Sequence, residues 1–268
     1  YVQSVIGNSY QKVEAFLKNG RKVLFTGTSC QVAGLKRYLG RDYENLLTID
    51  FVCHGVPSPK IWQKYLKEVV DGKESSEHTK LKIKNISFRD KSSGWIKFSL
   101  AICMCFGQDK ENNGIQSNQV CIKENVLSNL YLRGFIHNLF LRPSCYKCPA
   151  KSLRSMSDIT MGDYWGINIV NPLLFDDKGM NFVFVNNDKA DKYILQSQIF
   201  FWKSSYLDVL RFNQSIENSV LEPRYRTIFF QKIGDGCQVC DVIKVLVRDS
   251  FVKRYLKVLL TLFHLRKK

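Results

Sequence analysis

The stretch RPSCYKCPAKS, residues 142–152, sets Cys145 and Cys148 three positions apart, with Pro149 after the second and basic residues on both sides. A C-x-x-C pair serves one of three chemistries: half of a zinc site, half of an iron–sulfur site, or a redox dithiol. A cluster or a structural zinc needs four thiolates, or histidine in place of some. The turn supplies two, and its backbone N–H groups can donate to the sulfurs. The Cys-Pro ending matches the end of ferredoxin-type cysteine runs. The remaining donors must come from segments that the fold brings alongside.

Those segments follow from the pattern of elements. Residues 8–19 place Val13, Phe16 and Leu17 at helical spacing, and Gly20 stops the helix. KVLFTG (22–27) reads as a short buried strand, and Thr28 as the N-cap of a helix that ends at Gly40, with Val32, Leu35 and Leu39 inward. LLTIDFVC (46–53) is a second apolar strand. Ser58 caps the next helix and Pro59 takes its first position. Strand, helix, strand, helix at this spacing predicts a βαβ unit and a parallel sheet.

Further on, LKIKNISFRD and WIKFSLAICMCFG predict an antiparallel hairpin around Ser92-Ser93-Gly94. Residues 125–140 have helical periodicity and run into the C-x-x-C. SDITMGDYWG and MNFVFVN predict strands, with a helix from Lys189 to about Gln198, and from Leu207 the chain reads as helical and basic. The expected fold class is α/β: a mixed sheet containing parallel strands, flanking helices, and a helical basic C-terminal region. The expected division is one domain over 1–190 and a helical basic C-terminal extension over 191–268.

In a parallel α/β sheet the carboxyl ends of the strands converge on one edge, where sites form. Cys30 lies just past the first strand at a helix N-terminus, which draws a thiol toward the thiolate. Cys53 ends the next parallel strand, before HGVP. Both belong on the same edge, so Cys30, Cys53, Cys145 and Cys148 make a candidate set of four metal ligands. The plain alternative for each of the two single cysteines is a small buried residue in a β–α turn. GDGCQVCDV holds a second C-x-x-C, Cys237 and Cys240. Zinc ribbons separate their knuckles by roughly 15–20 residues, far fewer than lie between Cys148 and Cys237, so the second pair is expected to be packing beside a helix. Cys103, Cys105 and Cys121 show no ligand spacing; Cys103 and Cys105 fall on one face of a strand and read as packing.

Composition narrows the classes further. Forty Lys+Arg against 24 Asp+Glu give a net charge of +16, a field that favours acidic partners. With 45% hydrophobic residues the 268-residue chain can fill a core. Nine scattered cysteines argue against a secreted disulfide scaffold and for a reducing compartment. The first twenty residues do not read as a signal peptide, and no run approaches the ~20 apolar residues that span a bilayer. The chain starts at Tyr1 rather than Met, which suggests a fragment or processed product.

VLFTGTSCQVAGLKRYL, YENLLTIDFVCHGVPSPKIWQKYL, ISFRDKSSGW and RPSCYKCPAKSLRSMSDITMGDYWGI together resemble the C-terminal domain of the coenzyme F-420 hydrogenase/dehydrogenase beta-subunit family, over roughly residues 1–170. Its members are flavin-dependent iron–sulfur oxidoreductases, some found with polysaccharide biosynthesis enzymes. The resemblance implies electron transfer through FAD and a [4Fe–4S] cluster, with a deazaflavin coenzyme as one candidate carrier. It also implies that the cysteines of GTSC, FVCHG and SCYKC ligate the cluster. Full-length relatives often carry an N-terminal ferredoxin-like module with C-x-x-C-x-x-C runs, which this chain lacks. Ser29 stands where the family pattern leads one to expect proline.

FAD brings a pyrophosphate that wants backbone N–H groups at a helix N-terminus and nearby cations. TGTSCQ offers Gly27 for close approach, the hydroxyls of Thr28 and Ser29, Gln31 and a helix start, without the full G-x-G-x-x-G fingerprint. Arg89, Lys91, Lys151 and Arg154 are candidate phosphate partners, with solvated surface charge as the alternative. Asp158 and Asp163 flank ITMG and are candidates for a ribose hydroxyl or for orienting a cation. Trp95 and Trp165 are candidates for ring stacking or for the core. His54 directly follows a proposed ligand and is the candidate catalytic residue, donating to the isoalloxazine or shuttling a proton; a structural histidine is the alternative.

The primary expectation is an oxidoreductase module moving electrons between a reduced carrier (deazaflavin, ferredoxin or NAD(P)H) and a substrate or partner subunit. Its partner would be an acidic electron-transfer protein or subunit, not nucleic acid. The basic tail from Val242 to Lys268 adds a candidate membrane-surface contact, so the expected location is the cytoplasm or the inner face of a membrane. The alternatives are a zinc-stabilised basic binding protein without redox activity, or an inactive fragment of the oxidoreductase.

Overall fold

A computed structural model describes residues 2–73, 81–106 and 119–247. Along the chain the elements are α1 (Ser9–Lys18), β1 (Val23–Thr28), α2 (Ser29–Leu39), β2 (Leu46–Phe51), α3 (Pro59–Asp71), β3 (Leu81–Asp90), β4 (Ser99–Phe106) and β5 (Gln119–Asn125). Then come α4 (Leu130–Ile136), β6 (Ile159–Asp163), α5 (Ile167–Val170), β7 (Asn181–Val185), α6 (Asp188–Leu195), α7 (Tyr206–Phe212), α8 (Arg226–Gly234) and α9 (Val239–Leu246). A four-stranded sheet runs β1-β2-β6-β7 and a three-stranded one β3-β4-β5. The α/β class with a mixed sheet, flanking helices and C-terminal helices is borne out. The part of the basic tail beyond residue 247 lies outside the described residues.

The chain divides into two compact units. One comprises Tyr1–Ser58, Phe88–Ser99 and Leu141–Glu222; the other comprises Pro59–Ser87, Leu100–Phe140 and Pro223–Lys268.

In the first unit β1 pairs parallel with β2, β2 parallel with β6, and β6 antiparallel with β7. The connection from β1 to β2 is written in local chemistry. Thr28 caps α2 with extended backbone, and Gln31 completes a capping box by accepting the Thr28 N–H through its side-chain oxygen at 3.0 Å. At the other end Gly40, with φ of 66°, takes the left-handed conformation that ends the helix. Val13 and Leu17 of α1 and Leu35 and Leu39 of α2 bury against Leu46, forming one core cluster. A second gathers Trp95, Tyr164, Ile167, Phe182, Val209 and Ile216.

β2 departs from a simple apolar strand. Its inward residues are Leu46, Thr48 and Asp50, each no more than 1% exposed. Asp50 accepts from Ser157 Oγ at 2.8 Å and Thr160 Oγ1 at 2.6 Å, so the polar seam between β2 and β6 is satisfied from within.

In the second unit Tyr65 of α3 stacks on Tyr131 of α4 at 5.0 Å between ring centroids, and Trp62 packs tilted against the same ring at 4.8 Å. Phe140 continues the row from Tyr131 to Phe229 of α8. Helix α9 packs on α3, α4 and α8. The expectation that Cys103 is a packing residue is corrected: it forms a disulfide with Cys121, between β4 and β5. Neighbouring strands bring together residues that share no motif, so spacing along the chain carries no sign of the pair. Among the described residues no helix is long and apolar enough to cross a membrane.

Candidate functional site

The site is built at the carboxyl ends of β1 and β2 in the first unit. Cys30 occupies the first turn of α2, and its Sγ lies 3.2 Å from Thr28 Oγ1. Cys53 follows the end of β2. Leu141 bridges back to Pro57, and the chain then turns through a short 3-10 helix, Pro143–Lys147, which presents Cys145 and ends at Cys148. The Val56 amide donates to Cys145 Sγ at 3.3 Å across 89 positions of sequence, and the Cys148 amide donates to Ser219 Oγ at 2.9 Å. All four cysteines are free thiols.

Lys151 ties the set together. Its ammonium donates to the Cys53 carbonyl at 2.7 Å and to the Ser215 carbonyl at 2.5 Å. Burial pulls its pKa down, while the Cys53, Cys148 and Cys145 thiolates oppose that. Burial in turn pushes the Cys53 thiol up to about 11; Lys151 acts against that shift, and the neighbouring Cys145 and Cys30 add to it. Cys53 thus lies within electrostatic reach of Lys151, Cys145 and Cys30.

The donor chemistry can be tested against the two metal groups raised by the sequence. A single zinc ion needs its donors within ~2.0–2.4 Å of one point. Among the described residues no three His, Cys, Asp or Glu side chains converge in that way. A four-iron cluster offers a separate iron to each thiolate, so its ligands surround a volume instead of meeting at a point. Four free thiols, with an amide donor to Cys145, are the donor type such a cluster takes.

The residues expected around a flavin are distributed differently. Gln31 is 6% exposed and spent inside the fold: its oxygen accepts from Thr28, and its amide donates to Ser4. A Cβ on Gly27 would lie 3.1 Å from that Gln31 oxygen, so this glycine makes room for the capping side chain. Ser29 Oγ approaches the Phe51 carbonyl at 3.5 Å. Arg89 pairs with Asp163 at 2.8 Å at the carboxyl end of β6, and its guanidinium lies over the Phe98 ring at 4.4 Å. Lys91 donates to the Lys178 carbonyl at the surface. His54, half-buried, stands beside Cys53 at the cysteine edge. Trp95, 1% exposed, stacks on Trp165 at 4.7 Å within the core.

Asp158 stands apart, at the opposite end of the strands. Its carboxylate accepts from the Thr48 amide at 2.6 Å, Thr48 Oγ1 at 2.7 Å and Asn187 Nδ2 at 2.8 Å, and pairs with Lys189 at 3.0 Å. Burial raises its pKa, but these hydrogen bonds outweigh burial and hold the carboxyl below its ordinary value. It borders an open groove of about 800 Å³ lined with Lys36, Arg41, Glu44 and Lys189, well away from the thiols. The pocket beside Cys53 and Lys151 is only about 20 Å³, room for one water and not for a flavin. Neither of these two spaces gathers the residues named for FAD, and no step is assigned to them. The expectation that Lys151 reaches toward a phosphate gives way to an inward turn onto two backbone carbonyls, of which the sequence contains no cue.

A mixed sheet with three parallel strands, and free thiols following the ends of two of them, defines an α/β domain with Cys30 and Cys53 at the strand carboxyl ends. The chain belongs to the coenzyme F420 hydrogenase/dehydrogenase family, in the domain described as the C terminus of the beta subunit, whose model matches residues 20–199. It is accordingly a domain of an oxidoreductase-related subunit. A comparison with curated proteins returns no match.

Proposed function

We propose that this chain is an electron-transfer module in which Cys30, Cys53, Cys145 and Cys148 hold a [4Fe–4S] cluster. The module moves electrons between a reduced carrier (a deazaflavin, ferredoxin or NAD(P)H) and a substrate or partner subunit, with FAD as the second redox group that the family relation suggests. The observation that carries the reading is four free thiols at the strand-end edge, with the Val56 amide on the Cys145 sulfur and Lys151 tying the segment after Cys148 to the Cys53 carbonyl. When bound, the cluster supplies one-electron relay. The chain's own residues do the rest: the cysteines bind it, the Val56 amide donates to the Cys145 sulfur, and the Thr28 hydroxyl lies against the Cys30 sulfur. His54, beside Cys53, is the residue we assign to proton movement at this edge. The basic surface, with a net charge of +16, suits an acidic electron donor or subunit.

The test is anaerobic purification followed by metal, sulfide and flavin assay. A brown protein with about four irons and matching sulfide per chain is expected. A colourless protein carrying one zinc contradicts the reading.

A further inference from the structure

Between α6 and α7 of the first unit the chain runs through SQIFFWKSS, residues 197–205, without helix or strand. Both ends of this segment are fastened. Ser197 Oγ donates to the Ile194 carbonyl at 2.7 Å, and the hydroxyls of Ser204 and Tyr164 share a hydrogen bond. The middle lies in solvent: Ile199 is 64% exposed, Phe200 83%, Phe201 43% and Trp202 63%. Leu195 before it and Leu207 after it are exposed as well. An aromatic side chain carries roughly 150–250 Å² of surface, so these three rings and Ile199 leave on the order of 500 Å² of apolar surface in water, near the upper end of what a monomer shows.

We propose that residues 199–203 are a membrane-surface anchor that enters the headgroup region of an anionic bilayer. The inference needs no redox group and stands apart from the cluster reading. Successive side chains of an extended segment project to opposite sides, so four exposed in a row present apolar surface on more than one side. A protein interface covers one side, whereas lipid surrounds an inserted loop. Charge points the same way. From residue 192 to residue 207 the charged side chains are Lys192 and Lys203, with no Asp or Glu between Asp191 and Asp208. The chain as a whole carries +16, which draws it to anionic lipid and repels a second copy of itself. Phe and Trp beside Lys are the residues that settle at the boundary between headgroups and hydrocarbon. At headgroup depth the backbone stays hydrated, so a segment without helix or strand is no obstacle.

Trp202 supplies the readout, because Trp62 and Trp95 are buried and Trp165 is half-buried. The full chain is mixed with vesicles of phosphatidylcholine alone or of phosphatidylcholine with phosphatidylserine, and binding is followed by flotation, tryptophan emission and quenching by brominated lipid. Wild type, Trp202→Phe and the double variant Phe200→Ser/Phe201→Ser are compared, with far-ultraviolet circular dichroism and size-exclusion chromatography on each. The wild type should float with the anionic vesicles, shift its emission to the blue and be quenched. Trp202→Phe should float equally and lose the shift. The double variant should bind about tenfold more weakly or worse, since burying each ring is worth roughly 1.5–3 kcal/mol. If the double variant loses its fold, quenching of wild-type Trp202 by brominated lipid decides in its place. A wild type that ignores anionic vesicles overturns the proposal. So does equal binding by a folded double variant, which would put the contact elsewhere on the basic chain. A wild-type dimer that the double variant dissolves, without vesicle binding, assigns the segment to a second copy and overturns it as well.

Discussion

The Lys151 ammonium lies 2.7 Å from the carbonyl oxygen of Cys53, across 98 positions of sequence. That contact joins the segment after the C-x-x-C to the end of β2, and it places a cation among thiols that have no motif in common. The same unit also buries two carboxylates, Asp50 and Asp158. Asp158 closes the opposite end of the β2–β6 seam and has no thiol near it.

Asp158→Ala should destabilise the first unit by about 3–5 kcal/mol, because removing one partner leaves the Lys189 ammonium without its counter-charge and the Thr48 groups without their acceptor. The carboxyl's folded pKa lies below its unfolded value of about 3.9. Its contribution is therefore complete above that value and is lost as pH falls through the lower, folded one. Urea denaturation at pH 7 and at pH 3 checks this. The wild type should lose more stability between the two than Asp158→Asn does, while iron uptake at pH 7 by a folded Asp158→Asn stays at the wild-type level.

How far the sequence reaches depends on the range of the force involved. The span of α2 is legible because capping is local: Thr28, Gln31 and Gly40 carry the boundary in their own chemistry. The sheet-edge position of Cys30 and Cys53 is legible for a related reason, since strand periodicity and the βαβ rule place both strand ends on one side. The inward turn of Lys151 and the anchoring role of Asp158 are not legible. Both depend on which backbone groups arrive from distant segments, and a lysine or aspartate in a loop reads the same whether it faces solvent or the interior. Asp50 is similar: a carboxylate in an apolar strand gives no sign of the Ser157 and Thr160 hydroxyls that satisfy it.

The two C-x-x-C pairs look alike in sequence and differ in the fold. Cys237 is exposed, whereas Cys240 enters the first turn of α9, where Glu68 accepts from its amide at 2.9 Å and from the Val239 amide. Burial, then the bond to Glu68, pushes the Cys240 thiol up to about 12. Iodoacetamide at pH 8 on the native chain should label Cys237 readily and Cys240 at least tenfold more slowly, as read by peptide mass spectrometry. Equal labelling of the two would contradict this placement.

The Cys103–Cys121 disulfide gives an independent check on the second unit. Digestion without reductant should yield one peptide pair joined through these residues, while the other seven cysteines alkylate once the chain is unfolded. Closing a loop of this size contributes about 3 kcal/mol, so Cys121→Ser should lower the urea midpoint measurably. Recovery of both residues as free thiols from the oxidised, unreduced protein would contradict the pairing.

The central claim is that one cluster is held by cysteines from three separated segments, and it is tested most directly by iron retention in single variants. Cys30→Ser, Cys53→Ser, Cys145→Ser and Cys148→Ser are purified anaerobically beside the wild type and assayed for iron and acid-labile sulfide. The account predicts about four irons per chain in the wild type and a comparable, near-complete loss in all four variants, with Cys237→Ser and Cys240→Ser unaffected. Full iron in Cys30→Ser or Cys53→Ser, with loss only in Cys145→Ser and Cys148→Ser, would contradict it.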